Sequence, residues 1–256
     1  MLKLTNLDVY CKNQLLLKEI NLEFIKASTY LILGSNGSGK STLAKTIIGY
    51  PAYQIKRGRI QIDPLNYYNY KSTEDTSLEK YSLSQRAKLG IFLCFQNPVD
   101  LVGVAPFNFL KTIFNTHQLY RGLPQMGSKE FLEYVKSTIK RFKFSDNILS
   151  RSSLESMSGG EKKKFELIQL LLLEPKFVIL DEVDSGIDVD SLKNLLKIIT
   201  YLQSKKVTLL IISHNLDFLQ KINIDQVAIL SNGQVVKIGN QALIEDIKHS
   251  GFAAYD

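Results

Sequence analysis

Two groups of residues in this chain have the types and spacing to handle a phosphate. Gly34-Ser35-Asn36-Gly37-Ser38-Gly39-Lys40-Ser41 fits the pattern G-x-x-x-x-G-K-[ST] in full. Phe177-Val-Ile-Leu-Asp181-Glu182 is an apolar run that ends in two carboxylates. The glycines of the first group let the backbone wrap an anion without side-chain obstruction. Its N–H groups, and the N-terminus of a following helix, then face that anion. Lys40 is expected to neutralise β- and γ-phosphate oxygens and the Ser41 hydroxyl to ligate Mg²⁺. Gly34, Ser35, Asn36, Gly37, Ser38, Gly39, Lys40, Ser41 and Thr42 are the predicted nucleotide contacts. Asp181 suits Mg²⁺, directly or through water, and Glu182 suits a general base or an orienter of the attacking water.

Ser158-Gly159-Gly160-Glu161 is a third group. Ser158 reads as an N-cap and Glu161 as its N3 partner in a capping box, opening a helix that runs to Glu174, before Pro175. Gly159 and Gly160 leave bare backbone donors at the positive end of that helix. The group lies 23 residues before Asp181.

The elements that must hold these groups follow from periodicity. Leu2, Leu4, Leu7 and Val9, then Leu15–Leu17, Ile20, Leu22 and Phe24, predict antiparallel strands with one wet face. Tyr30–Leu33 is a short buried strand into the phosphate loop, and a helix follows through Ile48, stopping at Gly49 and Pro51. Leu65–Lys88 is polar, Tyr-rich and weakly periodic, and reads as a surface excursion before a strand Ile91–Phe95. From Asn97 to Ser156 the pattern is helical. Gly127-Ser128 caps a helix through about Arg141, with Phe131, Leu132, Val135 and Ile139 on one face. Phe177–Leu180 and Val207–Ile212 are buried strands, Ser191–Leu202 an amphipathic helix, and Ser231-Asn-Gly the turn of a hairpin between Ile229–Leu230 and Gln234–Ile238. Strands alternating with helices predict an α/β fold with a parallel sheet, whose ligands bind at the carboxyl ends of the strands.

Composition narrows the function classes. The chain has 256 residues, 45% hydrophobic and 22% charged, which suits one large soluble domain or a domain with a subdomain. Apolar runs fall short of the ~20 residues a membrane span needs. The net charge is +7. Lysines are spread along the chain, and the tight run Lys162–Lys164 reads as a solvated helix face, so nucleic acid is not an expected partner. Lysine makes up 26 of the 32 basic residues, a skew found in plastids and some bacteria. Cys11 and Cys94 match no metal-ligand spacing and read as buried small hydrophobes. Two cysteines cannot supply the four thiolates of an iron–sulfur cluster. No leader or transit segment is expected ahead of the first strand.

The order of the phosphate loop, Ser158–Glu161 and Asp181-Glu182 resembles the ABC ATPase family. The resemblance implies ATP and Mg²⁺ as ligands and a P-loop parallel-sheet core with an antiparallel β subdomain and a helical subdomain. Residues 1–96 and 170–256 would form the core, and 97–169 the helical part with the signature motif. In that family the signature of one subunit closes on the γ-phosphate held by another, so Ser158, Gly159 and Gly160 would act in trans, in a transient homodimer. Gln96 matches the glutamine that senses Mg²⁺, His214 the switch histidine at the γ-phosphate, and Ser185-Gly-Ile-Asp188 the loop that crosses the dimer interface. Lys40, Glu182 and His214 would be catalytic. Ser41, Gln96 and Asp181 would hold Mg²⁺. Tyr10 is placed either to stack on adenine or to pack at a strand end, and His117 and His249 read as surface residues.

Gly49-Tyr-Pro-Ala-Tyr53, Gly90-Ile-Phe-Leu-Cys-Phe-Gln-Asn-Pro-Val99, Gly103-Val104, Ser158-Gly-Gly-Glu-Lys-Lys163 and Asp181-Glu-Val-Asp-Ser-Gly-Ile-Asp188 resemble one branch, the SufC-type ATPases of SUF iron–sulfur assembly. Lys164-Phe165, Asn215 and Val102 depart from that branch. The resemblance implies SufB-like and SufD-like scaffold partners, no direct membrane insertion, and a plastid stroma or bacterial cytoplasm. The same site motifs would also serve the nucleotide-binding subunit of a membrane ABC transporter.

Overall fold

Apolar side chains of the central strands alternate between two faces, and each face has its own cover. The computed structural model describes residues 2–62, 76–96, 101–252 and 254–255. Strands β1 (Leu2–Cys11), β2 (Gln14–Phe24) and β4 (Gln54–Ile62) form a three-stranded antiparallel sheet in the order β2-β1-β4. Strand β3 (Thr29–Leu33) joins a second sheet with β5 (Ile91–Cys94), β6 (Phe177–Asp181), β7 (Thr208–Ile212), β8 (Gln226–Ser231) and β9 (Gln234–Gly239). Its order is β5-β6-β7-β3-β8-β9, parallel except for the antiparallel β8–β9 pair.

Along β3, Tyr30 and Ile32 face one way and Leu31 and Leu33 the other, the two-residue period of a strand. Tyr30, Ile32, Phe177, Ile179, Leu210 and Ile212 meet helix α1 (Lys40–Ile47) and the apolar face of the antiparallel sheet. Leu31, Leu33, Val178, Leu180, Leu209 and Ile211 meet the other helices. These are α3 (Pro106–Tyr120), α4 (Ser128–Arg141), α5 (Gly159–Leu173), α6 (Val189–Ser204), α7 (Leu216–Leu219) and α8 (Ala242–Ser250), and α2 (Leu83–Lys88) lies beside β5. Phe131, Val135 and Ile139 form the buried stripe of α4, with Leu132 at its margin. No helix among the described residues is long and apolar enough to cross a membrane.

Several sequence expectations need correction. Part of Leu65–Lys88 (65–75) lies outside the described residues. The rest is not an irregular excursion: a 3₁₀ turn at Leu78–Lys80 buries Leu78, and α2 opens with a capping box between Ser82 and Gln85. Arg86 of α2 is buried and donates to the Thr46 and Ile47 carbonyls at the end of α1. Only local hydrogen bonding reveals this segment, because it is too short to show a helical period. Lys162–Lys164 are half-buried rather than solvated, and Lys163 donates to the Ser185 carbonyl. Cys94 is buried but Cys11 is only half-buried. His117 is half-buried too, and burial with Arg121 nearby lowers its pKa to about 4.

Helix α5 also carries Glu166, 7% exposed, which accepts the Phe95 N–H at 3.0 Å just beyond β5. Burial raises its pKa to about 8. A carboxyl raised in the fold favours folding below the unfolded value near 4.5, and that contribution is lost as pH rises toward 8. We expect Glu166→Gln to remove a stability loss of up to ~1.4 kcal/mol per pH unit across this window. Urea midpoints at pH 5, 6.5 and 8 report it, and parallel slopes for both proteins would contradict it. Phe177 is fully buried with its ring edge-on to Phe24 at 5.4 Å. Phe177→Ala should cost ~3–5 kcal/mol, read as a lowered urea midpoint, and an unmoved midpoint would contradict the packing.

Candidate nucleotide site

The phosphate loop leaves the sheet at the end of β3, its central strand. Gly34 takes φ +153°, and a Cβ there would stand 2.1 Å from the Leu230 carbonyl oxygen on β8, so only glycine fits. The Gly233 N–H of the β8–β9 turn donates to the Ser38 carbonyl at 3.0 Å and ties the loop to that hairpin. Gly39 caps α1 with φ +107° and no side-chain hydrogen bond, so the first amides of α1 are left for an anion. Lys40 is 5% exposed. Its ammonium donates to the Gly34 and Ser35 carbonyls, both at 2.8 Å, leaving one donor of three. Burial lowers its pKa, opposed by Glu182 and Asp181.

Neighbouring strand ends supply the rest. Asp181, the last residue of β6, is 1% exposed and accepts from the Ser41 hydroxyl at 3.1 Å. Burial raises its pKa. Its second oxygen has no partner, nor has the buried Ser38 Oγ. Two of the three buried side-chain polar atoms left unpaired among the described residues thus lie in this site, where a phosphate and its ion would satisfy them. Glu182 sits at φ +50°, a left-handed conformation unusual for its type, while its N–H donates to Ile212 of β7 at 2.9 Å. Gln96 Nε2 donates to one carboxylate oxygen of Glu182 at 2.5 Å. His214 Nε2 lies 3.1 Å from the other. Lys40, Ser41, Gln96, Asp181, Glu182 and His214 therefore meet where β3, β5, β6 and β7 end.

Ser41 and Asp181 present hard oxygen donors of the kind Mg²⁺ takes. Gln96 has its amide nitrogen on Glu182, which leaves its carbonyl oxygen for an ion. Thr42 lies in the first turn of α1 and accepts from the Thr46 hydroxyl through its carbonyl.

Ser158, Gly159 and Gly160 stand apart from this cluster. The predicted capping box is present: the Glu161 N–H donates to Ser158 Oγ at 3.3 Å, and the Ser158 N–H donates to Glu161 Oε2 at 2.9 Å. Arg151 pairs with Glu161 and, with the box, holds its pKa down to about 2. Among the described residues, no hydrogen bond joins the motif to the phosphate loop of its own chain. A Cβ at Gly159 or Gly160 would meet nothing within 4 Å. Tyr10 is half-buried beside the end of β1, with the Lys56 ammonium 4.5 Å from its ring centroid.

Sequence reasoning missed three contacts around the site. Asp184 accepts from the Ser213 hydroxyl at 2.8 Å, and that hydroxyl also accepts the Asn215 N–H at 3.0 Å, which buttresses the turn holding His214. Lys163 donates to the Ser185 carbonyl. Glu166 holds the Phe95 N–H. Asp184 and Ser213 adjoin recognised residues, a signal that was available. Glu166 gave a weaker one, a charge on the apolar side of a helix.

Comparison with known proteins agrees with this geometry. Residues 17–185 match the ABC transporter family. A "probable ATP-dependent transporter ycf16" of Guillardia theta is 35% identical over 98% of this chain and 95% of its own length. An "iron-sulfur cluster assembly protein SufC" of Plasmodium berghei is 36% identical over 94% of this chain and 63% of its own length. A dimeric post-hydrolysis ATP-binding cassette, MJ0796 bound to ADP and Pi, superposes with a TM-score of 0.76 at 17% identity, over 94% of this chain and 99% of that one. The chain belongs to the ABC transporter family, as an ATPase subunit of it.

Proposed function

We propose that this ATPase works as a pair of chains with two shared sites, and that its turnover remodels an iron–sulfur scaffold. The observation that carries the pairing is the separation just described. One chain holds a phosphate loop and carboxylates, while its Ser158–Gly160 turn makes no hydrogen bond to them and has open space at both glycines. Bare amides at a positive helix end are useful when a phosphate on a second copy approaches them.

In each site Gly34 to Thr42 cradle the phosphates, and Lys40 offers its remaining donor to the β- and γ-oxygens. Ser41, Asp181 and Gln96 would hold Mg²⁺, which when bound offsets charge on the phosphates. Glu182, gripped by Gln96 and His214, orients the attacking water and accepts its proton. His214 then faces the γ-phosphate. Residues 97–169 act as the helical subdomain that carries the signature turn to the partner's site.

The scaffold reading rests on relatives and on branch-specific residues. The Plasmodium relative carries the SufC name, and Glu161-Lys-Lys and Asp184-Ser-Gly-Ile-Asp188 are among the stretches that resemble that branch. SufB-like and SufD-like subunits are the proposed partners, in a plastid stroma or bacterial cytoplasm. The second reading, a transporter subunit, has its own support in the printed name of the Guillardia relative.

Glu182→Gln should abolish turnover and leave ATP bound in a stable dimer, read by phosphate release and by size-exclusion mass. Undiminished hydrolysis would remove Glu182 from the role of base. Co-purification separates the two readings of output: retention by a SufB-like protein is expected, and fractionation with an integral membrane protein instead would defeat the scaffold reading.

A further inference from the structure

Helix α5 touches three segments of the nucleotide site. Its first turn holds Ser158, Gly159 and Gly160. One turn further on, the Lys163 ammonium donates to the Ser185 carbonyl, in the segment that follows Glu182. Three residues beyond, the Glu166 carboxylate accepts the Phe95 N–H at 3.0 Å. Phe95 precedes Gln96, whose amide grips Glu182 at 2.5 Å. Gly159, Lys163 and Glu166 are spaced by four and three, so they lie on one stripe of the helix.

Glu166 is an unexpected residue for its place. It is 7% exposed, and its helix neighbours Phe165, Leu167 and Ile168 are buried hydrophobes. Burying a carboxyl is costly unless a hydrogen bond compensates. The Phe95 N–H is the first amide beyond β5, where pairing with β6 has ended at Cys94. Without the carboxyl oxygen that amide would be a part-buried donor lacking a partner, and the chain entering Gln96 would lose its anchor. A small cavity of about 150 Å³ lined by Phe95, Phe109, Phe165 and Glu166 adjoins the bond and leaves room for this chain to shift.

We propose that Glu166 is a positioning residue for Gln96. Through it α5 acts as a strut: closure of the Ser158–Gly160 turn on a second copy's nucleotide is transmitted to Gln96 and Glu182 of its own site. The distance from Ser158 to Glu166 along the helix is only ~12 Å, and a helix of this length moves as a unit. The cis part of the link rests on geometry within one chain, and the trans part rests on the paired reading above.

The test uses the full chain with ATP and Mg²⁺, comparing Glu166→Leu, which removes the acceptor, with Glu166→Gln, which keeps one. Phe95→Pro removes the donor and leaves the carboxylate in place, so it serves if Glu166→Leu folds poorly. Glu166→Leu and Phe95→Pro should each lower kcat by about 10- to 100-fold, the scale of a small misplacement in a site. KM for ATP should stay within about twofold, and the double variant should lose no more than either single one. Glu166→Gln should retain kcat within about threefold. Amide exchange of residues 95–96 should quicken about tenfold or more in Glu166→Leu. Full kcat in a folded Glu166→Leu, or equal loss in Glu166→Gln and Glu166→Leu, would overturn the proposal. The paired reading is tested apart from it: in a Glu182→Gln background, absence of ATP-induced dimer sinks the pairing and with it the trans part, while the kcat and exchange results still decide the cis link.

Discussion

Lys40 and Asp181 are buried together, at 5% and 1% exposure, and the rest of the structure serves that arrangement. A buried ion is stable only when its hydrogen bonds are supplied or its charge is given up. Two carbonyls of the phosphate loop hold the lysine, and one hydroxyl holds the aspartate. The remaining capacity is unfilled on both, and burial moves each pKa toward its neutral form. A polyphosphate with its ion would supply what is missing to each. Substrate binding thus completes an electrostatic balance that folding leaves open, and the fold must be rigid enough to hold the imbalance meanwhile.

That rigidity comes from the strand order. The β3 strand lies inside the six-stranded sheet, flanked by β7 and β8. The loop it feeds is braced by the Leu230 carbonyl at Gly34 and by Gly233 at Ser38. The strands β5, β6 and β7 on one side end at Gln96, Asp181-Glu182 and His214. Parallel pairing aligns their carboxyl ends, so four separate segments of sequence reach one edge. Glu182 is then held in a left-handed conformation by its N–H bond to Ile212 and by two side-chain contacts. Strain of this kind persists only where the surroundings over-determine the geometry.

Much of this was legible in the sequence because it rests on local rules. The phosphate loop, the capping box at Ser158 and the β8–β9 hairpin each need only a few adjacent residues. The central strands were legible from apolar runs of strand length bounded by turns. Other features depend on what folding brings from afar, and those were missed or misread. Residues 76–88 form a 3₁₀ turn and a six-residue helix, too short to show a period, and they matter through Arg86 reaching α1. Lys162–Lys164 looked like a wet run because α5 lies against the segment after Glu182, which sequence spacing does not show. Glu166 is the sharpest case. Its type says surface and its position on the helix says core, and only the stray amide at Phe95 reconciles the two.

The same division explains why the output is harder to read than the chemistry. The proposed ATP site is built from residues that converge at the strand ends, where the sheet itself fixes their places. What the turnover drives is set by surfaces that meet another chain, and these have no partner within this one to fix their composition. Val102 is such a residue: it is 79% exposed, so burial does not dictate its type. The link from α5 through Glu166 to Gln96 lies between these two classes. It belongs to the interior, so the fold constrains it, and it ends at Gln96, the residue that grips Glu182.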